Sequence, residues 1–236
     1  MERRYDWVLG YARNRDVLEI ACGTGQGAGL ISSVARSYLA SDVSESMLRQ
    51  ARQHYGERIS FVRFDAQVMP LRPACVDVVV ICEALYYLPD AHQFFLAARH
   101  VLRPGGSLLI VSANKDLFDF NPSPYSHVYF GVRELRSALT QLGFSCEFFG
   151  DSPIAQTSVM QRVLRPVKAL VTATGLMPKT MAGKKLLKRL VFGKLVPMPF
   201  ELKTPEHPSV RPVQLPDDQA DAAHKVIFCA ARILSG

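Results

Sequence analysis

Residues 17–25 read Val-Leu-Glu-Ile-Ala-Cys-Gly-Thr-Gly, a short apolar run with one acidic residue that ends in a Gly-x-Gly turn. The apolar run predicts a buried β-strand, and the glycine pair predicts a tight loop that opens a helix. Gly23 and Gly25 have no Cβ, so their backbone can come close to a ligand. Free N–H groups at the start of the following helix favour an anionic group. The stretch therefore predicts a binding site for a nucleotide-type cofactor.

Two cofactors fit this loop taken alone. Gly23-x-Gly25-x-x-Ala28 matches the loose dinucleotide fingerprint. Asp42 follows the first glycine by 19 residues, where an acid that binds ribose hydroxyls is expected. The loop is thus compatible with a nicotinamide dinucleotide as well as with another nucleotide-type cofactor. The later parts of the chain decide which cofactor is bound.

Further apolar stretches predict the remaining strands of a largely parallel sheet. The stretch at 75–82 is almost entirely apolar, as is typical of a central parallel strand. A Pro-Gly-Gly turn at 104–106 separates a predicted helix from the strand that runs to residue 111. The other predicted strands are 38–42, 59–64, 144–149 and 224–232.

These motifs, in this order, resemble the class I S-adenosylmethionine-dependent methyltransferases. The likeness is greatest to their small-molecule branch, which has an Asp/Glu-x-Gly-Cys-Gly-Thr-Gly loop and a Leu-x-Pro-Gly-Gly turn. It covers about residues 15–150 and the last strand, and it departs from the family loop at Ala21, where glycine is usual. The resemblance implies a doubly wound α/β fold with a seven-stranded, mostly parallel, Rossmann-like sheet whose last strand is antiparallel.

The resemblance also implies which residues hold S-adenosylmethionine. The glycine loop would wrap the methionine portion, supported by the acid of the first strand, and the acid that ends the second strand would accept both ribose hydroxyls. Apolar residues after the second strand would cover the adenine, whose edge would meet the end of the third strand. The backbone at the end of the fourth strand would meet the methionine amine. The implied cofactor-binding residues are Glu19, Ala21, Cys22, Gly23, Thr24, Gly25, Asp42, Val43, Met47, Asp65, Ala66, Cys82 and Glu83.

Several of these residues also fit a purely structural role. Asp42 and Asp65 are of a type that commonly precedes a helix. Met47 fits a core position, and Cys22 and Cys82 can pack as small apolar side chains.

We expect the methyl acceptor to bind at two loops, 83–90 and 112–130. These loops follow the carboxyl ends of the fourth and fifth strands. Methylation of a hydroxyl requires removal of a proton, and His127 is the candidate base because a neutral imidazole suits the operating pH. The alternative for His127 is a structural hydrogen bond within its loop. The candidate acceptor-binding residues are Tyr87, Tyr125 and Tyr129.

Composition indicates one domain over residues 1–236, with a chain long enough to bury one sizeable core. The five cysteines show no metal-binding spacing, which predicts reduced thiols, no metal and a cytoplasmic protein. The longest apolar runs are too short for a spanning helix. The sequence predicts no oligomeric state.

Basic residues are concentrated between residues 160 and 203, which hold ten Lys and Arg against the single acid Glu201. They lie in a predicted insertion or lid, 151–223, that is far longer than an ordinary connection between the sixth and seventh strands. Within it, 184–196 sets apolar residues against three lysines and an arginine on one side, which predicts a basic amphipathic helix.

This helix has three alternatives: a lid helix on the domain, a peripheral contact with an anionic membrane, or a site for the phosphates of a substrate. RNA is disfavoured because no aromatic-rich basic stripe or RNA-binding module is visible. The sequence therefore predicts methylation of a small-molecule or lipid-linked acceptor, preferentially at oxygen. The alternative functions are a nicotinamide-dependent oxidoreductase and a non-catalytic, cofactor-binding regulatory or scaffold protein.

Overall fold

A computed structural model describes residues 1–118, 120–151, 153, 199–203 and 212–234. The helices within these ranges are α1 (Glu2–Ala12), α2 (Ala28–Val34), α3 (Glu45–Tyr55), α4 (Ala91–Val101) and α5 (Val132–Thr140). The strands are β1 (Asp16–Ile20), β2 (Ser37–Asp42), β3 (Ser60–Arg63), β4 (Val76–Cys82), β5 (Leu102–Ala113), β6 (Phe144–Gly150), β7 (Val213–Leu215) and β8 (Val226–Ile233).

The strands form one mixed sheet in the order β3-β2-β1-β4-β5-β8-β6-β7. β1 pairs in parallel with both β2 and β4, and β4 pairs in parallel with β5. β8 is antiparallel to both of its neighbours, β5 and β6. The strand order reverses between β1 and β4, and open α/β sheets bind ligands beyond the carboxyl ends of the strands at such a point.

The predicted α/β sheet is confirmed, and the described part of the chain has one strand more than the sequence predicted. Each of the seven predicted strands overlaps an observed one, and the last strand is antiparallel as expected. The additional strand, β7, lies inside the predicted insertion and pairs through Leu215 with Phe148 at the edge of the sheet. The predicted basic amphipathic helix at 184–196 lies outside the described residues.

β4 shows why the sheet is covered on both faces. Its alternate residues Val79 and Ile81 pack in the core cluster that contains residues of α4 and α5. Val78 and Val80 pack in the cluster that contains residues of α1 and α2. A strand that is buried on both faces needs apolar side chains on both, which explains why the run at 76–82 is apolar apart from Asp77 near its start.

α1 is a helix that was not predicted from the sequence. Tyr5, Val8 and Ala12 are its buried residues and are spaced as the inner face of a helix. Trp7 packs against Phe228 of β8, with ring centroids 5.2 Å apart. The ring of Tyr5 lies where Gly27 has no side chain, since a Cβ at that glycine would be 1.9 Å from the ring. α1 is therefore fitted closely to the start of α2.

The segment 200–202 returns the chain to the glycine loop and its flanking helices. The Leu202 N–H donates to the Gln26 carbonyl at 2.8 Å, and the Leu202 side chain is buried. Glu201 pairs with His54 of α3 at 2.8 Å and with Arg58 at 3.4 Å. Its hydrogen bond with His54 lowers the pKa of the Glu201 carboxyl.

In the described part of the chain, no helix has both the length and the apolar character needed to cross a membrane.

Candidate cofactor-binding site

The glycine loop turns sharply at the carboxyl end of β1. Ala21, Gly23 and Gly25 all have a positive φ, at 55°, 59° and 78° respectively. The Cys22 N–H donates to the Ser41 carbonyl of β2 at 2.9 Å, which holds the loop between the two strands. The backbone geometry that the Gly-x-Gly pattern predicts is therefore present.

Ala21 adopts a left-handed conformation that favours glycine, the residue usual in the family loop. We expect Ala21→Gly to keep the fold and to raise the free energy of unfolding by at most about 1 kcal/mol. Relief of about 1–2 kcal/mol of left-handed strain is partly offset by the roughly 0.5–1 kcal/mol entropic cost of a glycine. Chemical denaturation measures the change.

Ala35→Gly is the matched control, because Ala35 has a φ of −72° and carries no such strain. It should lower the free energy of unfolding, since glycine brings only its entropic cost and the loss of a methyl group there. A loss for Ala21→Gly equal to that for Ala35→Gly would contradict the strain argument.

Asp42 lies at the end of β2, directly against the glycine loop. Its Oδ2 accepts the Gly23 N–H at 2.9 Å, and its Oδ1 accepts the Ser44 N–H at 2.8 Å. The capping of α3 is carried out by Ser44, whose Oγ accepts the Met47 N–H. The Asp42 carboxylate is thus fixed in place, and each oxygen keeps a lone pair for a further donor.

Apolar side chains stand exposed beside Asp42 and beyond β3. Val43 is 62% exposed and Met47 is 42% exposed, which rules out a core position for Met47. Val68, which the sequence analysis did not select, is 69% exposed. Exposed apolar residues grouped around the ends of β2 and β3 suit a flat apolar ring such as a purine.

Asp65 and Ala66 follow the end of β3, as predicted. Ala66 is buried. The Asp65 carboxylate is exposed and accepts the backbone N–H of Gln67 at 2.8 Å, in a local turn. Both of its oxygens also accept the side-chain amide of Gln67, at 3.2 Å and 3.3 Å, and Oδ2 can accept a further donor.

Glu19 is buried beneath the loop, and both of its carboxylate oxygens are engaged. Oε1 accepts the Tyr5 hydroxyl at 2.8 Å, and Oε2 accepts the Tyr38 hydroxyl. Burial raises the pKa of the Glu19 carboxyl, while the two tyrosine hydroxyls oppose that rise. Glu19 therefore links β1 to α1 and β2 through the two tyrosine hydroxyls.

The two cysteines of the predicted site have apolar surroundings. Burial is the largest cause of the raised pKa of both the Cys22 and the Cys82 thiols, and nearby Glu19 raises them further. Both side chains therefore stay neutral, as the structural interpretation of these residues expects.

Glu83, the first residue after β4, has a positive φ of 54°. Its N–H continues the pairing with β5 by donating to Val111 O at 2.7 Å. Its carboxylate forms an ion pair with Arg4 Nη2 at 2.6 Å and accepts the Tyr86 hydroxyl at 3.0 Å. A non-glycine residue held in this region is strained, and such residues cluster at functional sites.

The predicted acceptor loops meet through an aromatic cluster that we define as Tyr86, Tyr87, Phe120 and Tyr129. Tyr86 stacks on Tyr129 with centroids 4.8 Å apart, and Tyr129 meets Phe120 edge-on at 4.7 Å. Tyr87 lies 4.6 Å from Tyr86. Tyr125, by contrast, is 82% exposed and lies outside this set of ring contacts. The structure therefore joins Tyr87 and Tyr129, and adds Tyr86 and Phe120.

His127 is exposed, and its backbone N–H donates to the Tyr86 carbonyl at 2.8 Å. No hydrogen bond to its ring comes from the residues that the structure describes. A second histidine, His224, is buried at the start of β8 and pairs with Asp221 at 2.9 Å. The Asn114 side chain donates to the Asp221 carboxylate at 3.0 Å, so this group ties the chain before β8 to the end of β5.

Fold and site together define a class: an α/β domain with a nucleoside-cofactor site at the carboxyl ends of its parallel strands. Within the described ranges, no group of three or more His, Cys, Asp or Glu side chains is placed to hold a metal ion.

The comparisons with known proteins narrow this class. Residues 18–110 match the family described as "Methyltransferase domain". A probable S-adenosylmethionine-dependent methyltransferase of Mycolicibacterium smegmatis is 36% identical over 137 residues, which are 56% of this chain and 53% of that protein. A ubiquinone/menaquinone biosynthesis C-methyltransferase of Acidiphilium cryptum is 34% identical over 119 residues, 45% of this chain and 48% of that protein.

Among solved structures, the YcgJ protein of Bacillus subtilis is similar in fold, with a TM-score of 0.63 at 14% identity and coverage of 100% of both chains. The chain spans about half the length of the curated relatives it matches. Residues 18–110 therefore match a methyltransferase domain, and over about half of its length the chain is similar to S-adenosylmethionine-dependent methyltransferases.

Proposed function

We propose that this protein transfers the methyl group of S-adenosylmethionine to a hydroxyl oxygen of a small-molecule or lipid-linked acceptor. The observation that carries the proposal is the position of Asp42. Its carboxylate is held against the glycine loop at the switch point of the sheet, within the region that matches the methyltransferase domain.

The residues at the carboxyl ends of β2, β3 and β4 suit successive parts of S-adenosylmethionine. Asp42 would accept hydrogen bonds from the ribose hydroxyls, and Asp65 would accept one from the exocyclic amine of the adenine. Val43 and Met47 would cover the face of the adenine ring. The backbone at Cys82 would accept a hydrogen bond from the amine of the methionine portion. When bound, the sulfonium supplies an activated methyl group for in-line displacement. The protein contributes chiefly alignment and exclusion of water, which in well-oriented cases lower a barrier by about 7–11 kcal/mol.

The acceptor would lie between the aromatic cluster and Glu83, beyond the ends of β4 and β5. Rings that present apolar faces suit an acceptor with an apolar or planar body. His127, on the same loop as Tyr129, is our candidate for the base that removes the hydroxyl proton. The Acidiphilium cryptum relative is named a C-methyltransferase, so carbon is the second candidate for the methylated atom.

Two measurements test this proposal. Isothermal titration with S-adenosylmethionine and with NADH should show binding of the first only; binding of NADH alone would favour the oxidoreductase. Transfer of labelled methyl to a panel of phenols, quinols and sugar hydroxyls should then show turnover. Cofactor binding without turnover on any acceptor would favour a regulatory or scaffold role.

The role of His127 is tested by His127→Ala. If this variant keeps full activity on the acceptor, His127 is not the base that removes the hydroxyl proton.

The basic segment 184–196 lies outside the described residues, and its proposed role is contact with an anionic membrane that presents a lipid-linked acceptor. Exchange of Lys184, Lys185, Lys188 and Arg189 for glutamine should reduce sedimentation with phosphatidylglycerol vesicles and leave sedimentation with phosphatidylcholine vesicles unchanged. Equal sedimentation before and after the exchange would support the lid alternative.

A further inference from the structure

The first turn of α1 lies across the carboxyl ends of three strands. Three consecutive side chains of this turn each contact an acidic residue at or near the end of a different strand. This turn lies outside the region that matches the methyltransferase domain, residues 18–110. The contacts are Arg3 with Asp151 after β6 at 3.0 Å, Arg4 with Glu83 after β4 at 2.6 Å, and Tyr5 with Glu19 of β1 at 2.8 Å.

Arg4 is the central member of the three, and it lies against the end of β4. Its side chain is 22% exposed, and Nη2 forms the ion pair with Glu83 Oε1. Its Nε is buried and has no acceptor among the residues that the structure describes. A guanidinium carries five N–H donors in a fixed plane that matches a carboxylate. A buried donor without an acceptor is destabilising, so this Nε indicates that an acceptor joins Arg4 in the functional complex.

The chemistry of the proposed cofactor supplies such an acceptor. The amine and the carboxylate of its methionine portion are attached to the same carbon, so they cannot bind at distant places. If the amine meets the backbone at Cys82 and Glu83, the carboxylate lies within a few ångströms of that strand end. The acids in and around the site, Glu19, Asp42 and Glu83, would repel it. Arg4 places a guanidinium at that strand end, where it forms an ion pair with Glu83.

We propose that Arg4 binds the methionine carboxylate of S-adenosylmethionine, so that α1 is part of the cofactor site. The assignment rests on the proposed function. Glu83 positions the guanidinium through Nη2, and the edge that carries Nε takes the ligand oxygens. The alternative is that Arg4 only fastens α1 to β4, in which case the ligand would gain nothing specific from it.

A pair of ligands separates these roles. S-adenosylhomocysteine carries the amino-acid group, whereas 5′-methylthioadenosine has the same nucleoside and thioether without it. We expect Arg4→Gln to weaken the binding of S-adenosylhomocysteine by about 10- to 100-fold, as the loss of a charge-assisted hydrogen bond does. Binding of 5′-methylthioadenosine should change less than twofold. Arg4→Lys should recover part of the loss, and the control Arg3→Gln should leave both affinities unchanged.

Isothermal titration gives the dissociation constants, and thermal unfolding shows whether each variant is folded. Equal weakening of both ligands, or an unchanged affinity for S-adenosylhomocysteine, would overturn the assignment. If Arg4→Gln does not fold, Arg4→Lys decides: it must weaken S-adenosylhomocysteine selectively. A wild-type protein that binds neither ligand would refute the proposed function, and the assignment of Arg4 with it. Selective loss in Arg4→Gln supports both.

Discussion

Asp42→Ala is expected to weaken S-adenosylmethionine binding by at least tenfold while the domain stays folded. Two backbone N–H groups, at 2.9 Å and 2.8 Å, already fix this carboxylate, so a ligand would lose little entropy in binding to it. Removal of the side chain takes away charged hydrogen bonds worth about 1.5–3 kcal/mol each. It also leaves the Gly23 N–H without its acceptor, which loosens the loop. Isothermal titration measures the affinity.

Asp90→Ala is the matched control for this variant. Asp90 has an extended backbone and also accepts a backbone N–H, that of Gln93 at 3.0 Å, as the cap at the start of α4. Its removal should cost about 1 kcal/mol of stability as the loss of a helix cap, with cofactor affinity unchanged. If Asp42→Ala binds as tightly as Asp90→Ala, Asp42 does not belong to the cofactor site.

Glu19→Ala is expected to have the largest effect on stability, a loss of about 3–5 kcal/mol. The change leaves the hydroxyls of Tyr5 and Tyr38 buried without their acceptor and opens a cavity beneath the glycine loop. Glu19→Gln keeps the volume and one acceptor oxygen, so its loss should be smaller. The exposed Glu147 of β6 provides the control, because Glu147→Gln should change stability by less than about 0.5 kcal/mol.

The stability difference between wild type and Glu19→Gln should also depend on pH. Burial raises the pKa of Glu19 in the folded protein above its ordinary value of 4.5, so the folded state holds this proton more tightly than the unfolded state does. The contribution of Glu19 is therefore greatest below pH 4.5 and falls as the pH rises through the folded pKa. Urea unfolding between pH 4 and pH 8 measures it. A difference that grows with pH would contradict the raised pKa.

The sequence predicted the parallel core of the sheet because its strands are marked by local signals. The run of β4 is apolar at every position except Asp77, and the acid and glycine positions at the strand ends follow from the family motif. The sequence did not predict β7, since its three residues lie between Pro212 and Pro216 and form a strand only by pairing with β6.

The site was predicted less completely than the fold, since its missing parts depend on contacts between distant residues. Arg4 and Tyr5 lie on a helix that precedes every recognisable motif, although the spacing of its apolar residues could have revealed it. The sequence predicted Tyr87 and not its neighbour Tyr86 as an acceptor-binding residue. The turn after β4 decides which of the two rings stacks on Tyr129, and this ring is Tyr86. Tyr87, Tyr125 and His127 remain proposals, because their roles depend on the acceptor.

The short segment 200–202 sets a boundary for anyone who wishes to shorten this chain. Leu202 fills part of the same apolar cluster as Leu30 and Ile31, and its N–H occupies the carbonyl of Gln26. A redesigned protein with a compact linker in place of the basic region should retain these three residues. Without them, Leu30 and Ile31 of α2 would lose an apolar neighbour, and a deletion meant to remove only the basic region would disturb the glycine loop as well.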